Sequence, residues 1–466
     1  MAAKFGTSGL RGLANELIGP VARDHVRAFI RHLKAKRLAK KGDTVFIGLD
    51  FRASSPALRE DVAKALAMEG MVEIYLGAVP TQALAFEAMR KKSAAIMITG
   101  SHIPADRNGI KFYRPDGEIT KADEKAIVAL VKKLPVEKIV LGKSRNGNVT
   151  RFVERYKKAF GGRPLAAMRV GVYQHSSVAR DMLVELLSAA GAVALPLARS
   201  DVFVPVDTEA VSDETLNLLK SWGATGKYDA IVSADGDGDR PLIADQNGEV
   251  LRGDLLGLIT ARFLKAQVVV TPITSNSGLD AHLPKGTIRT KVGSPFVIEA
   301  MMKAKAHGAG GTVGFEANGG FFTASRFKLG KAILSPLPTR DCFLPILAVL
   351  VSAHKAKKSV SQLARDFALP QARGGRLENF AVEKSIALVK KLTGSSTEAQ
   401  AFFQSIGEIK SRDTTDGLRL TFASGEIIHL RPSGNAPEFR CYVEAADASA
   451  ADKLLARAMK LLAAQR

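Results

Sequence analysis

Three aspartates at alternating positions, Asp235-Gly236-Asp237-Gly238-Asp239, followed directly by Arg240, make the densest patch of chemistry in this 466-residue chain. Carboxylates crowded on one short loop repel one another unless a cation compensates. Oxygen-only donors suit a hard ion, Mg²⁺ or Ca²⁺. An EF-hand needs Gly at its sixth position and Glu at its twelfth; counted from Asp235 these are Arg240 and Gln246, so that reading fails. Mg²⁺ usually takes few protein carboxylates and a phosphate oxygen. A phosphate ligand is therefore implied, and Arg240 agrees with it. The plain alternative is a glycine-rich acidic turn.

Three further loops carry candidate groups. Thr99-Gly100-Ser101-His102-Ile103-Pro104 continues to Asn108-Gly109-Ile110-Lys111. It begins at the carboxyl end of a predicted strand over 94–98, where open α/β sheets place ligands. A serine hydroxyl is a poor nucleophile until activated, and His102 and Lys111 are the nearby activators. Glu316 and Asn318, in Gly314-Phe315-Glu316-Ala317-Asn318-Gly319-Gly320, can hydrogen-bond neighbouring sugar hydroxyls. Arg431-Pro432-Ser433-Gly434-Asn435 combines a guanidinium, a hydroxyl, an amide and backbone N–H groups freed by Gly434, a good phosphate cradle. Each of these loops also has a plain reading as an ordinary turn. Neither a G-x-G-x-x-G nor a G-x-x-x-x-G-K-[ST] loop occurs around the glycines at 308–320.

The elements that must hold these loops alternate between strand and helix. Thr44 to Leu49 is a β-rich run, and Ser54-Ser55-Pro56 opens a helix with Ser55 as the expected N-cap. Gly70 ends that helix, and strands follow at 72–76 and 94–98. Such spacing predicts a mostly parallel sheet with helical crossovers. The pattern returns at Arg169 to Tyr173 with a helix through Arg180 to Gly191, and more weakly from Val268, a recurrence on the order of 100–120 residues. Three similar α/β domains are expected. Beyond residue 372, Asp416-Gly417 marks a hairpin and Asp447 opens a terminal helix, which reads as a smaller α+β domain. The expected domains are 1–150, 151–253, 254–371 and 372–466.

Composition narrows the class. The chain is too long for one core. No stretch of about 18 apolar residues argues for a membrane span, and the opening residues lack the apolar core of a signal peptide. Two cysteines, Cys342 and Cys441, make no disulfide framework and favour the cytoplasm. The net charge of +21 raises nucleic-acid binding as a rival. Against it, aromatics are only 6% and do not alternate with basic residues. Arg23, Arg27, Arg31 and Lys34 fall on one helix face, expected to be solvated.

Taken together, the four loops resemble the α-D-phosphohexomutase family of phosphomannomutases, phosphoglucomutases and phosphoglucosamine mutases, in the right order and over nearly the whole chain. Phe5-Gly6-Thr7-Ser8-Gly9-Leu10-Arg11-Gly12 is similar to that family's opening F-G-T-[SD]-G-[LI]-R-G. The loop from Ser101 to Lys111 resembles S-H-N-P…N-G-x-K, and D-G-D-G-D-R is matched in full. Arg431 to Gly434 resembles the start of R-P-S-G-T-E-P. The resemblance implies four domains around a central cleft. It implies that Ser101 carries the phosphoryl group, and that Asp235, Asp237 and Asp239 hold Mg²⁺ with a phosphoserine oxygen. Lys111 and Arg11 would stabilise the transferring group, Lys111 also in proton transfer. Lys291, in Thr290-Lys291-Val292-Gly293, would lie near the reacting sugar. Glu316 and Asn318 would bind sugar hydroxyls, and Arg431, Ser433 and Asn435 the phosphate that is not reacting. The implied reaction passes through a hexose 1,6-bisphosphate that turns end for end between two transfers.

Three departures stand out. Relatives commonly carry G-E-x-S-G-H in the sugar loop, where this chain has Asn318 for serine and Gly320 for histidine. Ile103 replaces a common Asn, and Asn435-Ala436 replaces Thr-Glu. The first bears on sugar choice; mannose phosphate is the expected substrate, with glucose and glucosamine phosphates as alternatives. A metal-dependent phosphatase is a rival enzyme with the same groups, separated from a mutase by whether phosphate is lost to water.

Overall fold

The computed structural model describes residues 3–6, 9–136, 138–139, 142–432 and 438–465. The chain forms two compact units, one of residues 1–269 with 293–364 and one of residues 270–292 with 365–466.

In the first unit the largest sheet runs, in spatial order, Lys4–Phe5, Leu10–Leu13, Arg107–Arg114, Ala94–Ile98, Thr44–Leu49, Val72–Ala78 and Ser144–Asn146. The last four strands are parallel, and the pairings from Ala94–Ile98 through Arg107–Arg114 to the other edge are antiparallel. Thr44–Leu49 reads T-V-F-I-G-L and is buried at every position after the first, as a strand covered on both faces must be. Its alternation sorts the two layers. Val45, Ile47, Ile96 and Ile98 pack with Phe29, Leu33, Leu58 and Val62 from helices Pro20–Ala35 and Ser55–Met68. Phe46, Ala95 and Met97 face Leu84, Ala85 and Ala88 of helix Thr81–Arg90.

A second sheet in this unit runs Val193–Arg199, Arg169–His175, Ala230–Ala234, Pro241–Ala244, parallel except for its last strand. Strands Thr312–Phe315, Phe321–Thr323 and Leu337–Asp341 pair antiparallel. The second unit carries an antiparallel sheet in the order Gln371–Glu378, Glu438–Ala445, Ile427–Pro432, Leu418–Phe422, Ile409–Asp413. Helices Val382–Gly394 and Ala448–Ala463 bury Val389, Leu392, Leu454 and Ala458 against Leu420, Ile428 and Val443 of that sheet. The hairpin at Asp416-Gly417 needs glycine: Gly417 has φ of 83°, and a Cβ there would lie 2.2 Å from the Leu430 carbonyl oxygen.

Two expectations change. The N-cap of helix Ser55–Met68 is Ser54, with no side-chain cap bond. Ser55 instead turns its hydroxyl to Asp50 Oδ1 at 2.7 Å, a stronger partner than a backbone N–H because it is charged. The basic face of helix Pro20–Ala35 is not simply solvated. Arg27 is 3% exposed, and Arg31 Nε and Lys34 Nζ reach Glu69 at 2.7 Å (Oε1) and 2.6 Å (backbone O). Arg23 lies 3.8 Å from Asp61. Packing against the neighbouring helix turns this run inward, which weakens the nucleic-acid reading.

His429 in the second unit gives a stability prediction. Its ring nitrogen Nε2 lies 2.6 Å from the Asp416 carbonyl, so it donates there, and burial lowers its pKa to about 4. The unfolded chain takes up that proton from about pH 6.5 downward, while the folded chain does not until about pH 4. Stability is therefore expected to fall as pH drops through that window, by roughly 3 kcal/mol from this group. His429→Gln should flatten the fall in melting temperature between pH 6.5 and 4; an equally steep fall in the variant contradicts the assignment.

Candidate active site

The carboxyl ends of two parallel strands start the site. Asp50, just after Thr44–Leu49, is fully buried. It accepts from Thr99 Oγ1 at 2.8 Å, Ser55 Oγ at 2.7 Å and Arg52 Nε at 3.1 Å. Burial nevertheless raises its pKa, against the opposing charge of Arg52. Arg52, 1% exposed, donates to the carbonyls of Ser101 (2.9 Å), Ile103 (2.6 Å), Pro104 (2.6 Å) and Arg107 (2.9 Å). Its guanidinium carbon lies 3.9 Å from the centre of the Phe203 ring. One planar five-donor fork thus ties down the loop that follows strand Ala94–Ile98. The approach is close enough that a Cβ on Gly100 would lie 2.7 Å from Arg52 Cζ. In this frame Ser101 is held at φ of 55°, a left-handed conformation that costs a non-glycine residue about 1–2 kcal/mol.

Arg52→Lys keeps the charge and loses the fork. We expect kcat to fall about 10²-fold with KM little changed, because the loop is misplaced rather than the binding groups removed. Steady-state kinetics beside a thermal melt checks this; a kcat equal to wild type contradicts it.

Ser101 Oγ lies 2.5 Å from Asp235 Oδ2 and 3.3 Å from His102 Nδ1. Asp235, Asp237 and Asp239 follow strand Ala230–Ala234 and are buried. One oxygen from each lies within 4.8 Å of the others, so the three can hold a metal ion. The backbone N–H groups of Asp239 and Arg240 fix Asp235 Oδ1 at 3.0 and 3.1 Å. Asp237 Oδ1 and Asp239 Oδ1 are buried without a hydrogen-bond partner. Orphaned carboxylate oxygens in an all-oxygen, buried set fit a hard divalent cation.

Lys111, on strand Arg107–Arg114, places Nζ 2.6 Å from both Asp237 Oδ2 and Asp239 Oδ2. Burial disfavours its ammonium, but those two carboxylates outweigh burial and raise its pKa. The same contact, with Thr81 Oγ1 at 2.5 Å, holds Asp237 below the carboxylate range although burial pulls the other way. Asp235 goes the opposite way, pushed well up by burial and by its two neighbours' charges. Arg240 sits 3.8 Å from Asp239, 4.0 Å from Asp235 and 3.9 Å from Asp207. His102 Nε2 is 3.8 Å from Asp207; burial, then the charge of Arg240, keeps its imidazole neutral at pH 7. Arg11, on Leu10–Leu13 beside Arg107–Arg114, has its pKa lowered to about 10 by burial and the charge of Arg240.

Glu316 and Asn318 lie in the turn between Thr312–Phe315 and Phe321–Thr323. Glu316 Oε2 accepts from Arg340 Nε at 2.5 Å, and Arg340 Nη1 lies 3.7 Å from Asp239 Oδ2. Asn318 Oδ1 accepts from Gly320 N at 3.0 Å, so this amide closes its own turn. Ser101, His102, Lys111, the three aspartates, Arg240 and Glu316 thus form one linked cluster in the first unit. Lys291 and Arg431 belong to the second unit. Lys291 is exposed, and Arg431 Nε lies 3.1 Å from Asp416 Oδ2. Ser433, Gly434 and Asn435, like Thr7 and Ser8, lie outside the described residues. Sequence reasoning missed Asp50, Arg52, Thr81, Asp207 and Arg340. Asp50 and Arg52 had a usable signal, a charged pair at a strand's carboxyl end.

Comparison with known proteins matches three segments to phosphoglucomutase/phosphomannomutase models: alpha/beta/alpha domain I at residues 2–137, alpha/beta/alpha domain III at 252–369, and the C-terminal domain at 377–461. A phosphomannomutase of Sinorhizobium fredii is 49% identical over 99% of both chains. One from Salmonella muenchen is 42% identical over 95% of this chain and 91% of its own. Among solved structures, a phosphoglucomutase/phosphomannomutase family protein from Burkholderia thailandensis superposes with a TM-score of 0.77 at 21% identity, covering 98% of this chain and 97% of its own. With so much of its length shared, the chain belongs to the phosphoglucomutase/phosphomannomutase family, the α-D-phosphohexomutases.

Proposed function

We propose that this enzyme interconverts hexose 6-phosphate and hexose 1-phosphate, with mannose phosphate preferred, through a phosphorylated Ser101 and a hexose 1,6-bisphosphate. The observation that carries the reading is the 2.5 Å contact of Ser101 Oγ with Asp235. It sets a nucleophile against a three-carboxylate cation site beside Lys111. Relatives named phosphomannomutase, 49% and 42% identical, support the mannose preference. Mg²⁺ is the cation we assign to Asp235, Asp237 and Asp239 with an oxygen of phosphorylated Ser101. When bound, such an ion neutralises charge on the transferring phosphoryl oxygens.

The rest falls to the chain's own residues. The O–P bond on Ser101 breaks as one forms to the sugar hydroxyl oxygen, and Ser101 regains a proton as that hydroxyl gives one up. Lys111 and the neutral His102 flank the exchange and hold or pass that proton. Arg11 and Arg240 stabilise the charge, and Glu316 and Asn318 face sugar hydroxyls. Lys291 approaches the reacting sugar, while Arg431, Ser433, Gly434 and Asn435 bind the second phosphate. We assign these loops to domains at 1–150, 151–253, 254–371 and 372–466. No described helix is long and apolar enough to cross a membrane, and both cysteines are buried and free, which supports a cytoplasmic enzyme.

A panel of mannose, glucose and glucosamine phosphates, with a trace of hexose 1,6-bisphosphate, tests the reading. Isomer without free phosphate is expected, fastest for mannose phosphate. Phosphate released in step with substrate loss points to a phosphatase instead.

A further inference from the structure

Arg340 is a buried charge that the catalytic scheme leaves unused. It lies on strand Leu337–Asp341 and is 4% exposed. Strand alternation sets it apart from its neighbours. Thr339 Oγ1 donates to Glu118 Oε1 at 2.8 Å and Tyr156 hydrogen-bonds Asp341, whereas Arg340 reaches Glu316 and Asp239. Its stem occupies the space that any side chain at position 320 would need. A Cβ built on Gly320 would lie 2.7 Å from Arg340 Cδ and 2.9 Å from Cγ. Gly320 does not adopt a positive φ, so room for Arg340, not backbone freedom, accounts for glycine there. That is the position where the resembling sugar loop carries histidine. Among the described residues, Arg340 makes its hydrogen bond through Nε, and Nη1 has the 3.7 Å ion pair with Asp239.

We propose that Arg340 is a specificity-determining residue that selects hexose phosphates with a neutral ring over amino-sugar phosphates. This rests on the functional reading above, in which Glu316 faces the sugar. Arg340 binds Oε2 of Glu316, which leaves Oε1 as the acceptor for a hydroxyl. A hydroxyl oxygen can also accept from the guanidinium. An ammonium on the ring cannot accept, and it would bring a like charge to the guanidinium. An Arg bonded to Glu316 also partly cancels the carboxylate that would otherwise attract an amino sugar. Specificity then comes from repulsion as much as from attraction.

Glucose 6-phosphate and glucosamine 6-phosphate isolate the effect, because they differ only in hydroxyl against ammonium. Their inhibition constants against mannose 1-phosphate turnover are measured for the wild type, Arg340→Lys and Arg340→Met. The wild type is expected to bind the amino sugar at least about tenfold more weakly. Arg340→Lys keeps that ratio while losing activity, and Arg340→Met brings the ratio towards one. Equal inhibition of the wild type by both sugars overturns the proposal even if neither variant folds. A ratio in folded Arg340→Met that matches the wild type overturns it too, since a purely structural arginine lowers both affinities together. If the wild type turns over no hexose phosphate at all, the functional reading fails first. Turnover of mannose 1-phosphate without discrimination sinks this proposal alone.

Discussion

Ser101→Ala is expected to bind substrate about as well as the wild type while kcat falls roughly 10⁴-fold or more. The loop should survive the change, because Arg52 grips backbone carbonyls and not the hydroxyl. Asp235 loses one donor and keeps the N–H groups of Asp239 and Arg240. The residues assigned to the sugar are untouched. Loss of the proposed phosphoryl carrier is therefore expected to strike the chemical step and spare binding. Steady-state turnover, with calorimetric binding of mannose 1-phosphate, measures both. Unchanged kcat removes Ser101 from the mechanism, and lost binding with a lowered melting temperature shows that the hydroxyl was structural.

Asp237→Asn should have the next largest effect. The substitution keeps shape and removes one of the charges proposed to hold the cation. It also puts an amide where Lys111 Nζ and Thr81 Oγ1 both donate to Asp237 Oδ2. If the amide nitrogen faces those donors, donor meets donor; if it faces away, the charge is still gone. We expect a Mg²⁺ requirement shifted up about 10–100-fold, and kcat lowered about 10²–10³-fold. A Mg²⁺ titration of activity, with direct metal binding to the variant, checks this. A titration that overlays the wild type contradicts the metal assignment.

What could be read in the sequence was what acts locally. The Asp-x-Asp-x-Asp spacing announces its chemistry within five residues, because carboxylate repulsion on one short loop has few explanations. Ser101 announces itself less by type than by place, at the end of an apolar run that had to be a buried strand. The strand–helix alternation followed from composition and turn residues for the same reason. Contacts across the fold were not legible. Thr81 meets Asp237 over a separation of 156 residues, and nothing near Thr81 marks it. Arg340 looks like an ordinary strand residue until the space above Gly320 is seen to be filled by its stem. The basic helix face was misread because a periodic charge pattern is the same whether it faces water or Glu69 and Asp61. Ser55 was misread because Asp50, five residues back, outcompetes the helix for its hydroxyl.

In the proposed reaction Ser101, set against the aspartate loop, carries the phosphoryl group between two positions on the sugar. Incubating the protein with mannose 1,6-bisphosphate and Mg²⁺, isolating it, and mapping phosphate by peptide mass spectrometry measures this directly. One phosphoryl group is expected on Ser101, discharged onto added mannose 1-phosphate with recovery of the bisphosphate. Phosphate found on another residue, or discharged only to water, contradicts it.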